Sequence, residues 1–196
     1  MDAVDGGEKA RTMRGSIALS AALVTGLLAG VACVAWLASG ALTSLNVAAV
    51  AAGDVDIGPL VEDPSFLGIA ARNLSVAGLL TAGIPLLGIP TLLSLPVSAM
   101  IVGFTGASVV ASLGLPLTLD RVSAYIVFEL AGIVMAATAG VLPTVHACRQ
   151  VLGRPRARFA HGYTVAIPPA LGVGLIGAAL ILLGAAIETA AISALT

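Results

Sequence analysis

The chain has 196 residues, of which 59% are hydrophobic and only 10% charged, and its mean hydropathy is +1.09. A water-soluble domain carries about a quarter charged residues, so the composition excludes one and specifies an integral membrane protein. A net charge of -1 gives no basic footprint for nucleic acid.

A hydrocarbon core about 30 Å thick takes about 20 apolar residues per helix. The length therefore accommodates about five crossings and predicts an all-α, polytopic bundle with no room for a separate soluble domain. The start, MDAVDGGEKARTMRGS, has the charge pattern of a signal peptide. The charge-free run that follows extends from Gly15 to Gly53, far beyond a cleavable apolar region, so it reads as an uncleaved signal anchor. Residues 1–15 form the amino-terminal tail, and residues 16–196 form a single transmembrane domain.

The first span covers about 16–42, with small residues at Gly26 and Gly30 on one face. An acidic connection follows from Asn46 to Ser65, carrying Asp54, Asp56, Glu62 and Asp63; its apolar start, VAAVAA, fits either a helical extension or an interfacial piece. Spans two and three, about 65–87 and 90–112, are joined by a tight turn at Gly88, Ile89 and Pro90, and Pro85 and Pro96 interrupt their hydrogen bonding. Leu113 to Arg121 reads as a short loop, and the fourth span as about 122–145. The segment from Cys148 to Tyr163 then carries Arg149, Arg154, Arg156 and Arg158 without an acid. The fifth span, about 168–195, opens at Pro168-Pro169, residue types favoured at a helix start.

Basic residues set orientation. Lys9, Arg11 and Arg14 precede the first span, and the four arginines follow the fourth, whereas the acidic connection has neither Lys nor Arg. Five spans put the two basic segments on one side, which the positive-inside rule makes cytoplasmic. The expected location is a cell membrane, with the carboxyl terminus outside. The arginine segment sets topology and also offers a surface for anionic lipid or a cytoplasmic protein.

Ionisable groups inside the spans ask for partners. At 1.5 Å per helical residue, Arg72, Glu129 and Glu188 all fall about 10 Å below the outer surface. A planar guanidinium serves two carboxylates at once, so these three residues, with Asn73 as a hydrogen-bond donor, form the candidate intramembrane cluster. A structural clasp, a proton or ion pathway, and hydrated near-surface carboxylates are all compatible with the residues, and the lack of further mid-depth titratable groups favours the clasp. His146, Cys148 and His161 are metal-ligand types, but a zinc site needs about four ligands at recognisable spacing; no metal and no cofactor is expected. Cys33 and Cys148 make no disulfide framework.

These residues carry a resemblance to the stage II sporulation protein M family. Its Asn-Asn pair near the start of the second helix is matched by Arg72 and Asn73, and its Gly-rich turn by Gly83, Gly88 and Gly103. Its His-Gly-x-x-Glu run is matched at Glu129 in YIVFELAG, with Tyr125 and Ile126 in place of His and Gly, and its Ala-x-Ile-Glu by Ala185 to Glu188. The resemblance spans about Ser16 to Leu195. It implies five helices and a non-enzymatic scaffold or accessory subunit of a membrane complex, since the name-giving member scaffolds peptidoglycan remodelling. Relatives that accompany ABC transporters or natural-product enzymes imply two alternatives: the membrane component of an exporter, or a membrane subunit of a peptide-modifying enzyme. The expected partners are membrane lipids and other membrane proteins, possible ones being a transporter ATPase and a modifying enzyme; nucleic acid is not among them.

Overall fold

A computed structural model of the chain describes residues 2–51, 65–153 and 157–193. Five helices account for nearly all of them: α1 Asp2–Ala51, α2 Phe66–Thr81, α3 Ile89–Leu113, α4 Leu115–Gly153 and α5 Phe159–Ser193. Four contain segments long and apolar enough to cross a membrane, namely Ala10–Ser39, Ile89–Leu113, Val122–Gly153 and Phe159–Ser193. The protein is an all-α, multi-pass membrane bundle. Its apolar surface fits that environment, with Leu37, Leu67, Leu93 and Leu175 each at least 70% exposed.

Helix directions follow from the contacts. Gly103 on α3 packs on Ala32 and Ala35, and Gly106 on Trp36, so α3 runs parallel to α1. Gly184 on α5 packs on Glu129 and Gly162 on Ala147, so α5 is antiparallel to α4. Asn73 meets Glu129 and Leu80 meets Gly140, so α2 runs parallel to α4. Chain direction thus alternates through all five helices, and α1 begins at the end of the bundle opposite to the one where α5 finishes.

The α4–α5 pair has the most extensive contact. It is built on small residues because in lipid, where apolar side chains gain little from leaving the bilayer, close backbone packing carries association. A Cβ on Gly132 would press on Gly177 O at 2.8 Å, and one on Gly177 would meet Gly132 O at 2.9 Å. Around this pair sit the fully buried Leu80, Leu95, Leu142 and Ile181.

Several boundaries differ from the sequence expectation. The predicted loop at Leu113 to Arg121 is helical apart from Gly114, whose φ of +79° alone makes the corner; Pro116 then occupies the second position of α4, where its missing N–H costs nothing. Pro168 and Pro169 do not open α5. It starts at Phe159 and carries both prolines internally, its first turns held by Gly162 against Ala147 and Gln150. The basic segment is correspondingly short: α4 continues through Cys148 and Arg149 to Gly153, and Arg154 and Arg156 lie outside the described residues. Most of the acidic connection, residues 52–64, also lies outside them, whereas its apolar start belongs to α1. The helix likewise runs back through residues 2–15.

The second span departs most. α2 stops at Thr81 rather than near 87, and at 16 residues it is about 24 Å long. Pro85 has no N–H to continue it, and Ala82 to Gly88 tighten into turns such as Ile84 N to Thr81 O at 2.9 Å and Gly88 N to Gly83 O at 2.8 Å. The reversal uses positive φ at Gly88 (+79°) and at Leu87 (+54°), the latter a conformation a branched side chain resists.

Candidate functional site

Two polar constellations lie inside the bundle, one towards each end. The first joins α2, α4 and α5. Asn73 Nδ2 donates to Glu129 Oε1 at 2.5 Å, tying α2 to α4. Glu129 is half-buried, its Cγ lying where a Cβ on Gly184 would come within 2.8 Å. That glycine admits the carboxylate stem between the helices. Glu188, one turn further along α5, is also half-buried and lies close enough to Glu129 to be electrostatically linked to it. Arg72, on the exposed side of α2, is electrostatically coupled to both. Beneath them Ile69 and Ala70 pack on Ala185, closing the α2–α5 contact.

The structure therefore brings Arg72, Asn73, Glu129 and Glu188 into one neighbourhood. Tyr125, one turn before Glu129 on the same face of α4, joins them through electrostatic coupling to both carboxyls. It was absent from the expected cluster, although its four-residue spacing from Glu129 was the available signal. Arg72 supplies the counter-charge to this carboxyl pair.

The second constellation joins α1 to α4. His146, 2% exposed, has Nδ1 at 3.0 Å from Ser16 Oγ and Nε2 at 2.8 Å from Gln150 Nε2. Ser16 Oγ donates to Thr12 O at 3.1 Å and accepts from Arg149 Nη1 at 3.1 Å. With the serine proton committed to Thr12, the ring donates from Nδ1 and accepts at Nε2 from the Gln150 amide, so His146 is the neutral Nδ1–H tautomer. Its partners are thus a hydroxyl and an amide, while Cys148 and Cys33 are exposed free thiols. Among the described residues, no group of three or more His, Cys, Asp or Glu is placed to hold a metal.

Of the expected basic surface, Arg149 is half-buried and committed to this network, Arg158 is exposed, and Arg154 and Arg156 are outside the described residues.

A further polar contact fixes the α2–α3 reversal. The Tyr163 hydroxyl donates to Ile84 O and accepts from Leu87 N at 3.2 Å, while Thr91 Oγ1 donates to the buried Leu80 O at 2.6 Å. Tyr163 thus holds Leu87 in its left-handed conformation from α5, 76 positions away.

Comparison with known protein families, with curated proteins and with solved structures finds no match.

Proposed function

We propose that the protein is a non-enzymatic scaffold or accessory subunit of a membrane complex, in line with the stage II sporulation protein M-like pattern around Arg72–Asn73, Glu129 and Ala185–Glu188. The observation that carries this reading is where the polar groups point. Asn73–Glu129 with Glu188 and Arg72, and Ser16–His146–Gln150, each join helices of this same chain, and Tyr163–Ile84 ties α5 to the α2–α3 turn. Such groups act as clasps, fixing helix order and leaving apolar faces and helix ends for partners. In the cell membrane the amino terminus and the α4–α5 connection face the cytoplasm, by the bias of Lys9, Arg11, Arg14 and the four arginines from Arg149 to Arg158.

The second reading, a subunit of an ABC-type exporter, is favoured by the length of α4. Its 39 residues reach about 58 Å, well beyond a hydrocarbon core of about 30 Å. The ends of α4 and α5, with Arg149 and Arg158, would then project from the membrane, fit to meet a cytoplasmic ATPase.

Co-purification of the tagged full chain in mild detergent tests both. A scaffold recovers a defined membrane complex in which Glu129→Gln remains bound. An exporter subunit recovers an ATPase whose capture weakens in Arg154→Ala/Arg156→Ala. A chain that runs alone at full abundance contradicts both.

A further inference from the structure

The α2–α3 reversal stops short of the basic end of the bundle. Gly88 packs against Gly140 and Val141, whereas Arg149 is eight residues further along α4, about 12 Å away. Beyond the reversal, α1 and α4 continue side by side without α3 beside them. The space left at this step is a groove of about 340 Å³. It is walled by Leu23 and Leu27 of α1, Leu87 of the turn, Leu92 of α3, and Val141 and Val145 of α4, and its lining is almost wholly apolar.

Both walls lead to positive charge. On α4, Arg149 lies one helical turn past Val145. On α1, Leu23 is followed toward the amino terminus by Ser16, Gly15 and the exposed Arg14 and Arg11. The Arg149 guanidinium is held in place: Ser16 Oγ accepts from Nη1 at 3.1 Å, and a Cβ on Gly15 would touch that nitrogen at 2.9 Å. A guanidinium has five N–H groups and Ser16 takes one, a geometry suited to gripping a phosphate. An apolar slot that leads to a fixed guanidinium, with the exposed Arg14 and Arg11 following on the same stretch of α1, has the polarity of one amphiphile lying along the membrane normal.

We propose that this groove is a binding site for an anionic phospholipid, with one acyl chain between α1, α3 and α4 and the headgroup phosphate on Arg149. The site rests on the multi-pass architecture and is independent of any protein partner, so loss of lipid binding and loss of partner capture are separate outcomes. The charge selects the anionic headgroup, and the groove selects a lipid over a soluble phosphate.

The test is native mass spectrometry of the full chain in mild detergent, with phosphatidylglycerol and phosphatidylcholine of identical chains added in competition. The wild type retains phosphatidylglycerol preferentially. Arg149→Gln lowers that retention about fivefold, as expected for one basic contact, while Arg149→Lys keeps much of it. Leu23→Trp, which fills the groove and leaves Arg149 in place, abolishes retention of either lipid at this site. Its melting temperature in lipid-free detergent stays that of the wild type, so a folding defect is separable. Equal retention of the two lipids by the wild type, or undiminished retention of phosphatidylglycerol in Leu23→Trp, overturns the proposal.

Discussion

Asn73 on α2 and Glu129 on α4 are 56 positions apart in sequence and 2.5 Å apart in space, and their hydrogen bond ties a short helix to the long α4–α5 pair. α2 needs such a tie. At 16 residues it buries little, with Ile69, Ala70, Ala77 and Leu80 its buried positions. Asn73→Ala leaves the Glu129 oxygen without its donor, and losing a partner to a shielded polar group costs about 1–3 kcal/mol. The melting temperature in detergent should fall, and protease sensitivity should rise first around α2.

Close backbone approach is the second support of α2. Gly140 lies against Leu80 O and Thr91 Oγ1, and a methyl group there collides with both. Gly140→Ala should destabilise the fold by about 1–3 kcal/mol, the usual cost of overpacking. Gly78→Ala is the control: nothing lies within 4 Å of its added methyl group, and inside a helix the exchange should stabilise by about 0.5–1 kcal/mol. Thermal melting of the two variants side by side separates close packing from a general effect of Gly to Ala.

The α2–α3 reversal is held from outside by Tyr163. Removing its hydroxyl frees the Ile84 carbonyl and the Leu87 N–H together. Tyr163→Phe should cost about 1 kcal/mol, and amide exchange should accelerate at Leu87 more than at residues within α3. Leu87→Gly removes the strain of a positive φ, worth about 1–2 kcal/mol, and in the Tyr163→Phe background it should restore much of the lost protection.

Hydropathy made the helix number, their order and the presence of an α2–α3 reversal legible, because a bilayer demands a sustained apolar run. The expected turn at Gly88–Ile89–Pro90 sits too late, since Ala82 to Gly88 make the reversal and Ile89 and Pro90 already belong to α3. The rise per helical residue put Arg72, Glu129 and Glu188 at one level, and α2, α4 and α5 carry them to one neighbourhood. Helix ends were not legible. Leu115 to Arg121, Cys148 to Gly153 and Phe159 to Ile167 are helical because each forms backbone hydrogen bonds along its own segment, which hydropathy does not report. Pro168-Pro169 misled for a related reason: a proline pair marks a helix start only when nothing upstream is helical, and Gly162 on Ala147 secures the turns before it. The pairs His146–Ser16 and Tyr163–Ile84 span 130 and 79 positions and leave no periodic trace. They follow from helix rotation, which a run of Leu, Ala and Gly leaves unspecified.

His146 gives a spectroscopic check on the α1–α4 contact. The ¹⁵N shifts of its ring should be those of the neutral Nδ1–H tautomer, with Nε2 accepting from Gln150. Ser16→Ala removes the acceptor of Nδ1–H and of Arg149, so it should shift the ring towards the other tautomer. The melting temperature should drop by the equivalent of about 1–3 kcal/mol.

The most direct measurement on the clasp compares melting temperature and membrane abundance of Arg72→Gln with those of Glu129→Gln and Glu188→Gln. Arg72 is set against two carboxyls, so neutralising either glutamate leaves the other with its counter-charge, whereas removing Arg72 leaves both carboxyls without it. A structural clasp predicts that Arg72→Gln is clearly the least stable and least abundant of the three, with both glutamine variants close to the wild type. Equal stability of all three variants, with partner binding lost only in the glutamate substitutions, would contradict it and assign the carboxyl pair to direct recognition or proton transfer.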